Sequence, residues 1–323
     1  MDNSCWTIGV DLGGTKVEVA RVGADGRLQE RLRRPTAVQD GPDAVEQEIV
    51  TAVAELRQAA HTAPAGVGVG IAGQVAPDSG VVRFAPNLDW HDVPLQADLH
   101  QALKLPVVVT NDVRAITLGE WEQGAGQGCD DLICLFIGTG IGGGIVSGGN
   151  LLSGCTNTAG ELGHITVDMH GPRCHCGRRG CLEAFAGGWA IAALARDRLE
   201  LDPESGLALL ELADGNVAAI SAKIVVQAAH EGDPFAQEVL ETAVQGLIAG
   251  TVNLVNAFNP CRLILGGGVM DGLPEWVERV AQGIRENALP AASANLEVIA
   301  AALGDDAGVI GAAALARHTF TKS

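Results

Sequence analysis

Short apolar runs that end at glycine or asparagine recur along the chain, and they predict β-strands. Thr7–Val10 is such a run, and Val17–Val22 alternates before the turn at residues 23–26 reverses the chain into Arg27–Arg31. Further runs of this kind are Gly66–Ile71, Val107–Thr110, Leu132–Ile137, Ile145–Ser147 and Arg262–Leu265. We therefore expect an early β-hairpin followed by several buried strands.

Other segments carry apolar residues at helical spacing. Asp43–His61 and Pro234–Phe258 are predicted helices, and the alanine-rich segment Ala307–Arg317 is a third. Asn259 followed by Pro260 ends the second of these. Leu201–Asn216 has the weakest pattern, and we expect a surface loop with short helices there.

A strand that leads into a glycine-rich turn occurs twice. Asp11 begins the first turn and Gly138 begins the second, 127 residues later. We interpret this as an internal structural repeat, and hence as two related α/β domains. The length of 323 residues agrees with about two domains of roughly 150 residues each. The predicted domains are residues 1–115 together with a C-terminal helix at about 305–323, and residues 116–304.

Composition and charge exclude several classes of protein. Apolar residues make up 47% of the chain, which excludes a wholly disordered protein. The net charge of −18 disfavours nucleic-acid binding. Met1–Ser4 carries no basic region of a signal peptide, and no stretch of 18 apolar residues predicts a membrane span. The eight cysteines are therefore expected to be thiols or metal ligands in the cytosol rather than a disulfide framework.

The glycine-rich turns have the chemistry of a phosphate-binding site, because glycine lets backbone N–H groups approach a phosphate closely. The first turn is Asp11-Leu12-Gly13-Gly14-Thr15-Lys16, the second contains Gly138-Thr139-Gly140, and a third cluster is Gly266-Gly267-Gly268. Asp11 can hold Mg²⁺ directly or through water. The residue order does not match a P-loop, and the first two turns join strands instead of opening a helix as in a dinucleotide-binding fold.

A second group of residues predicts a closed zinc site. Cys174, Cys176 and Cys181 lie within eight residues, separated by glycines, and His164 lies ten residues upstream of Cys174. Three thiolates and one imidazole make a tetrahedral structural zinc site. His175 is the rival fourth ligand, but its position between two cysteine ligands turns its side chain away, so we favour His164.

Polar residues at a strand end and beside the cysteines are further candidates. Asn111 and Asp112 follow a predicted strand, where ligands of open α/β sheets gather, and a carboxylate there can accept a proton during phosphoryl transfer. Glu161 and Glu183 flank the zinc ligands and suit sugar hydroxyls, although each also fits a surface or helix-capping role. Asn87 by itself is a turn residue.

These motifs together resemble the ROK family of sugar kinases, most closely its bacterial glucokinase branch. Asp-x-Gly-Gly-Thr-Lys, Asn-Asp, Glu-x-Gly-His, Cys-x-Cys-Gly-x-x-Gly-Cys-x-Glu and a late Gly-Gly-Gly occur in this order. The resemblance implies two ribonuclease-H-like domains of the actin-like ATPase and sugar kinase type with a cleft between them. It also implies ATP and Mg²⁺, a hexose substrate and a homodimer.

The resemblance also implies a role for each candidate residue. Asp112 is the general base on the 6-hydroxyl of glucose. The groups implied to bind the sugar are Gly73, Asn87, Asn111, Asp112, Glu161, His164 and Glu183. Those implied to line the nucleotide are Asp11, Gly13, Gly14, Thr15, Lys16, Gly138, Thr139, Gly140, Gly267 and Gly268. Those implied to hold structural zinc are His164, Cys174, Cys176 and Cys181, with His164 binding zinc and sugar through different ring nitrogens.

Two departures from the family pattern leave the exact sugar open. Arg114 stands where small residues and asparagine are common in the family. Two interpretations are open: its side chain is solvated, or it alters the sugar site or a domain contact. Ala72-Gly73-Gln74 replaces a frequent Pro-Gly followed by an apolar residue. The alternatives are a kinase for N-acetylmannosamine, N-acetylglucosamine or another hexose, and a catalytically inactive sugar sensor. A repressor with an N-terminal DNA-binding domain does not fit, because Asp11 lies ten residues from the start.

Overall fold

The contacts within the chain divide it into two compact units. The computed structural model describes residues 5–58, 60 and 62–321. Unit 1 contains the described residues of Met1–Cys129, Asn150–Gly160 and Ala301–Ser323, and unit 2 contains Asp130–Gly149 and Glu161–Ala300. The division therefore follows residue 129 rather than residue 115, and a further short segment, residues 150–160, belongs to unit 1.

Strands and helices alternate along the chain. The strands are β1 (Thr7–Leu12), β2 (Lys16–Val22), β3 (Leu28–Pro35), β4 (Val67–Ile71), β5 (Gln74–Val75), β6 (Val82–Ala85), β7 (Trp90–Val93), β8 (Val107–Asn111), β9 (Leu132–Ile137), β10 (Ile141–Ser147), β11 (Asn150–Leu151), β12 (Arg262–Gly266) and β13 (Glu297–Ala300). The α-helices are α1 (Pro42–Gln58), α2 (Leu95–Leu103), α3 (Asp112–Gln123), α4 (Glu183–Ala186), α5 (Gly188–Leu201), α6 (Leu207–Leu212), α7 (Ala222–His230), α8 (Pro234–Phe258), α9 (Gly268–Gly272), α10 (Trp276–Asn287), α11 (Pro290–Ser293) and α12 (Ala307–Phe320).

Unit 1 is built on a five-stranded sheet with the order β3-β2-β1-β4-β8. β1, β2 and β3 pair antiparallel, whereas β4 and β8 run parallel to β1. β4 is buried along its whole length and β1 nearly so, as expected for strands covered on both faces. The strands β5, β6 and β7 form a separate small antiparallel sheet.

Helix α12 lies directly against the unit 1 sheet and against α3. A Cβ atom added at Gly9 would lie 1.8 Å from the carbonyl oxygen of Val309, so β1 and α12 touch backbone to backbone. A Cβ atom at Gly311 would lie 1.6 Å from the carbonyl oxygen of Ala115. This close packing places the whole of α3 in unit 1, which is why the unit extends beyond the predicted boundary at residue 115.

Unit 2 repeats the same arrangement in its sheet. β9 pairs antiparallel with β10 and parallel with β12, and β12 pairs parallel with β13. β1 and β2 of unit 1 correspond to β9 and β10, because in both pairs a buried strand turns at glycine into an antiparallel partner. The predicted repeat of two related α/β domains is therefore present in the fold.

Most predicted elements are confirmed, with shifted ends. The helix predicted over 43–61 ends at Gln58, and His61 lies outside the described residues. The strand predicted over 145–147 begins at Ile141 and includes three consecutive glycines. The weak region contains the end of α5 and the short helix α6. The C-terminal helix α12 ends at Phe320, and the last two residues of the predicted 305–323 segment lie outside the described chain.

Cys129 and Cys261 are disulfide-bonded, so the expectation that the cysteines are thiols or metal ligands is wrong for these two. None of the helices in the described part of the chain is both long and apolar enough to cross a membrane.

Candidate functional site

The end of strand β8 holds the predicted general base. Asn111 caps α3, because its side-chain oxygen accepts hydrogen bonds from the backbone N–H groups of Val113 (3.0 Å) and Arg114 (3.2 Å). Its side-chain amide donates to the Asp112 carboxylate at 2.9 Å and to the Gly73 carbonyl at 3.3 Å. One side chain therefore links the start of α3, the predicted base and the Gly73 loop.

Asn87 and the first glycine turn also meet in unit 1. A Cβ atom added at Gly14 would lie 2.7 Å from the carbonyl oxygen of Asn87, so only glycine permits this approach. A Cβ atom at Gly73 would lie 2.7 Å from the carbonyl oxygen of Phe84, on the strand β6 that precedes Asn87. The turn at Gly14 and the Gly73 loop thus both pack against the segment that runs from β6 to Asn87.

Asp11 on β1 and Asp112 just after β8 lie on either side of β4, which separates their two strands in the sheet. Asp11 pairs with Gly70 of β4, and a Cβ atom at Gly70 would lie 3.5 Å from the Cα atom of Asp112. Burial, and next the negative charge of Asp112, raises the pKa of Asp11 to about 6. A divalent cation bound here would relieve this repulsion, and carboxylate oxygens are the ligands that Mg²⁺ prefers. The donor set therefore fits Mg²⁺.

The rest of the first turn is held by local bonds. The backbone N–H of Gly13 donates to the Lys16 carbonyl at 3.0 Å, which closes the turn between β1 and β2. The Lys16 ammonium pairs with the buried Glu18 carboxylate at 3.1 Å, and Arg33 donates to the same carboxylate at 2.6 Å. Thr15 is exposed at the tip. The assignment of this turn to the nucleotide stays a prediction.

In unit 2 the four predicted zinc ligands converge. The candidate ligand atoms of His164, Cys174, Cys176 and Cys181 all lie within 4.8 Å of one another. Cys176 Sγ lies 3.6 Å from Cys181 Sγ, and Cys174 Sγ lies 3.7 Å from His164 Nδ1. With zinc–sulfur bonds of about 2.3 Å, the corners of a tetrahedron are about 3.8 Å apart. The donor set and its spacing therefore fit a tetrahedral zinc ion.

The backbone of this loop explains the convergence. Cys174 and Arg178 are bridged by a backbone hydrogen bond of 2.8 Å, and Gly177 turns the chain with φ of 87°. Gly180 also has positive φ, and a Cβ atom there would lie 1.5 Å from the Asp168 carbonyl oxygen. Glycine is required at Gly180, which returns the chain so that Cys181 faces the other cysteines.

The thiols of this cluster are not equivalent before a metal binds. Burial is the largest effect on Cys174, and it raises the pKa of this thiol to about 12. A backbone hydrogen bond from Arg178 lowers the pKa of the exposed Cys176. A bound metal must therefore displace a firmly held proton from Cys174, which makes metal binding dependent on pH.

Glu183 lies next to the cysteine cluster, while Glu161 precedes it. One Glu183 oxygen accepts from the Ile141 backbone N–H at 2.9 Å, and the other accepts from the Trp189 indole at 3.2 Å and lies 3.8 Å from Cys174 Sγ. Glu161 is exposed, and its carbonyl accepts from the His164 backbone N–H at 3.1 Å. The loop that carries the cluster thus also holds the Glu183 carboxylate in place.

A cavity of about 780 Å³ opens in unit 2 beside the second and third glycine clusters. Gly138, Thr139 and Gly268 line it. Gly140 lies instead against Glu183, since a Cβ atom there would be 2.4 Å from its carboxylate. A Cβ atom at Gly267 would lie 2.7 Å from the Ile137 carbonyl oxygen. This volume is in the range of small-molecule and cofactor sites.

Comparison with known proteins decides the family. The model of the ROK family matches residues 7–319. The chain belongs to the ROK family. A glucokinase of Streptomyces coelicolor is 38% identical over 97% of this chain and 98% of its own. An N-acetylmannosamine kinase of Escherichia coli is 32% identical over 96% of this chain and 98% of its own.

A solved structure agrees with these relatives. A ROK family glucokinase from Streptomyces griseus, in complex with glucose and AMPPNP, is 39% identical and matches with a TM-score of 0.76. The match covers 97% of this chain and 99% of that protein. The predicted family, its glucokinase branch and the fold class of two ribonuclease-H-like domains are thereby confirmed.

Among the departures from the ROK pattern, Arg114 is not a solvated side chain. It is 7% exposed, and its guanidinium donates to the Leu152 carbonyl at 2.7 Å and to the Ser153 hydroxyl at 2.8 Å. Burial lowers the pKa of this guanidinium. Arg114 therefore ties α3, two residues after Asp112, to the segment Asn150–Gly160.

Several residues that line the unit 2 cavity were not predicted from the sequence. They are Trp189, Arg196, Ser221, Lys223 and Asp271. Arg196 donates to the Ile220 carbonyl at 2.9 Å, and Ser221 caps α7 through its bond with the Ile224 N–H. Their side chains come from separate helices and loops, so no local motif marks them.

Proposed function

We propose that this protein transfers the γ-phosphoryl group of ATP to the 6-hydroxyl of glucose. The observation that carries this proposal is Asp112, a carboxylate at the carboxyl end of β8, whose position is fixed by the Asn111 amide. Its setting suits a base that must stay aligned with a hydroxyl proton. The glucokinases among the relatives support glucose as the acceptor.

In this proposal Asp112 accepts the proton of the 6-hydroxyl as the sugar oxygen bonds to the γ-phosphorus. The bond from that phosphorus to the β-γ bridging oxygen breaks, and ADP leaves. Asn111, Asn87 and the Gly73 loop hold sugar hydroxyls from unit 1. A sugar-binding role for Glu161, Glu183 and His164 of unit 2 is a separate part of the proposal.

The nucleotide is assigned to the glycine turns and to the unit 2 cavity. Gly138, Thr139 and Gly268 offer close backbone approach there, and Arg196 and Lys223 add positive charge that suits phosphates. Asp11 is the carboxylate that would hold Mg²⁺, directly or through water, and the ion would neutralise charge on the phosphates when bound.

Zinc is proposed as a structural ion on His164, Cys174, Cys176 and Cys181. Four protein ligands leave no open position for water or substrate, so the ion would have no direct catalytic step. Its contribution is to fold the loop that carries Glu161, His164 and Glu183. A cytoplasmic homodimer is the expected state of the protein.

Product analysis tests this function. Purified protein is incubated with ATP, Mg²⁺ and glucose, and the products are followed by ³¹P and ¹H NMR. We expect ADP and glucose 6-phosphate in equal amounts, and no sugar phosphate from 6-deoxyglucose, which lacks the acceptor. Phosphorylation of 6-deoxyglucose, or no transfer from ATP to glucose, would contradict the proposal.

A second candidate is phosphorylation of N-acetylmannosamine. The 32% identity to an N-acetylmannosamine kinase over nearly the whole chain favours it. The lower identity places it behind glucose.

A further inference from the structure

Trp189 is fixed from several sides at the start of α5. Its backbone N–H donates to the Thr139 carbonyl at 3.0 Å, and its indole N–H donates to Glu183 at 3.2 Å. Its ring packs against the small apolar cluster of Cys174, Cys181 and Ala184. The indole is therefore attached both to the second glycine turn and to the cysteine cluster.

His175 completes this arrangement. Its imidazole stacks on the indole with ring centroids 3.9 Å apart and planes inclined by 20°. His175 stands between Cys174 and Cys176, so its backbone is fixed wherever these two cysteines are fixed. The imidazole of His175, the alternative fourth zinc ligand, thus stacks on an aromatic ring.

Trp189 is at the same time part of the wall of the unit 2 cavity, together with Gly138, Thr139 and Gly268. A wall side chain that is held before the ligand arrives lowers the entropy lost on binding. The contacts of Trp189 with His175, Glu183 and the cysteine cluster provide such a hold.

We propose that Trp189 is a nucleotide-positioning residue and that His175 sets its position by ring stacking. The inference rests on the proposed assignment of the nucleotide to this cavity. It gives the cysteine loop a second role, because the loop then shapes the nucleotide wall as well as placing Glu183. Neither residue takes part in proton transfer, so both act on nucleotide affinity.

The test compares four substitutions, two at His175, one at His170 and Trp189→Ala. His175→Ala removes the stacked ring, and His175→Phe keeps an aromatic ring without nitrogen ligands. His170→Ala is the matched control, since His170 is exposed in the same loop and bonds to Asp168 through its backbone N–H. Each protein is assayed for zinc content, for the Kd of Mg·ADP by calorimetry without sugar, and for KM with ATP and with glucose.

We expect His175→Ala to raise the Kd of Mg·ADP and the KM for ATP about 2- to 10-fold, the range set by one aromatic pair. In His175→Ala the KM for glucose stays within twofold of the wild-type value. Its zinc content equals that of the wild type within experimental error. His175→Phe restores nucleotide affinity, and His170→Ala changes nothing. Trp189→Ala raises the Kd of Mg·ADP at least as much as His175→Ala does.

An unchanged Kd for Mg·ADP in both His175→Ala and Trp189→Ala would overturn the inference. So would loss of zinc in His175→Phe, since His175 would then act as a metal ligand. Because Mg·ADP binding is measured without sugar, a wrong sugar assignment leaves this test intact. Wild-type protein that binds no Mg·ADP would instead contradict the proposed kinase function.

Discussion

The side-chain amide of Asn111 donates a hydrogen bond of 2.9 Å to the carboxylate of Asp112, its neighbour in the chain. The same amide bonds to the Gly73 carbonyl, while the Asn111 oxygen caps α3. A carboxylate held by a hydrogen bond keeps one orientation, which a general base aligned with a hydroxyl proton needs. The aspartate is therefore positioned by the strand end itself.

Asp112→Asn removes the proton acceptor but keeps the size of the side chain. We expect kcat to fall by about 10²- to 10⁴-fold, the usual contribution of general acid–base catalysis. Glucose affinity, measured by calorimetry, should change only a few-fold. Asp78→Asn, at an exposed aspartate of unit 1, is the control and should keep wild-type kcat. Wild-type turnover in Asp112→Asn would refute the role of the base.

Asp11 predicts an unusual dependence of stability on pH. Burial and the nearby Asp112 raise its pKa to about 6, whereas an aspartate of the unfolded chain titrates near 3.9. Between about pH 4 and pH 6 the folded chain binds the extra proton, so this group lowers stability as the pH rises through that window. Asp11→Asn should therefore raise the unfolding midpoint at pH 7.5 and change it little at pH 4.5.

The same substitution should raise the KM for Mg·ATP at pH 7.5, because it removes a candidate Mg²⁺ ligand. Asp25→Asn, at an exposed turn residue of the β2–β3 hairpin, is the control. If Asp11→Asn shifts the unfolding midpoint equally at pH 7.5 and pH 4.5, or at neither pH, the raised pKa of Asp11 is not the cause of the pH dependence.

The cysteine cluster predicts one tightly bound zinc ion for each chain. Cys174→Ser should reduce zinc, measured by elemental analysis of protein purified without chelators, to a small fraction of one equivalent. It should also lower the thermal midpoint, because the loop loses its cross-link. Cys155→Ser, at an exposed free cysteine, should retain full zinc. Wild-type protein without zinc would disprove the site.

Arg114→Ala tests the tie between α3 and the segment Asn150–Gly160. The substitution leaves the Leu152 carbonyl and the Ser153 hydroxyl without the guanidinium that now donates to them. Leu152 is half-buried and Ser153 is exposed, so each lost hydrogen bond costs about 0.5–1.5 kcal/mol, and we expect the thermal midpoint to fall by a few degrees. Arg27→Ala, at an exposed arginine, should leave the midpoint unchanged. Equal midpoints for the two variants would contradict the tie.

Residues that act within one sequence motif could be found from the sequence. His164 and the three cysteines are close in the chain and have few ways to surround an ion. Asn111 and Asp112 stand where a predicted strand ends, and ligands gather at such ends. The paired glycine turns revealed the repeat, because each joins two strands of the same sheet type.

Contacts between distant elements could not be found in this way. The approach of Gly14 to Asn87 depends on how the small sheet packs against the β1–β2 turn. Arg114 on α3 donates to Leu152 and Ser153, which lie 38 and 39 residues further along the chain. The lining of the unit 2 cavity comes from several helices, none of which has a motif of its own.

The kcat/KM for a panel of sugars, with ATP and Mg²⁺, tests the central claim most directly. The panel contains glucose, mannose, fructose, N-acetylglucosamine and N-acetylmannosamine. We predict the highest kcat/KM for glucose, with activity lost in Asp112→Asn. A higher kcat/KM for N-acetylmannosamine or N-acetylglucosamine would contradict glucose as the substrate, and no turnover of any sugar would contradict the kinase function.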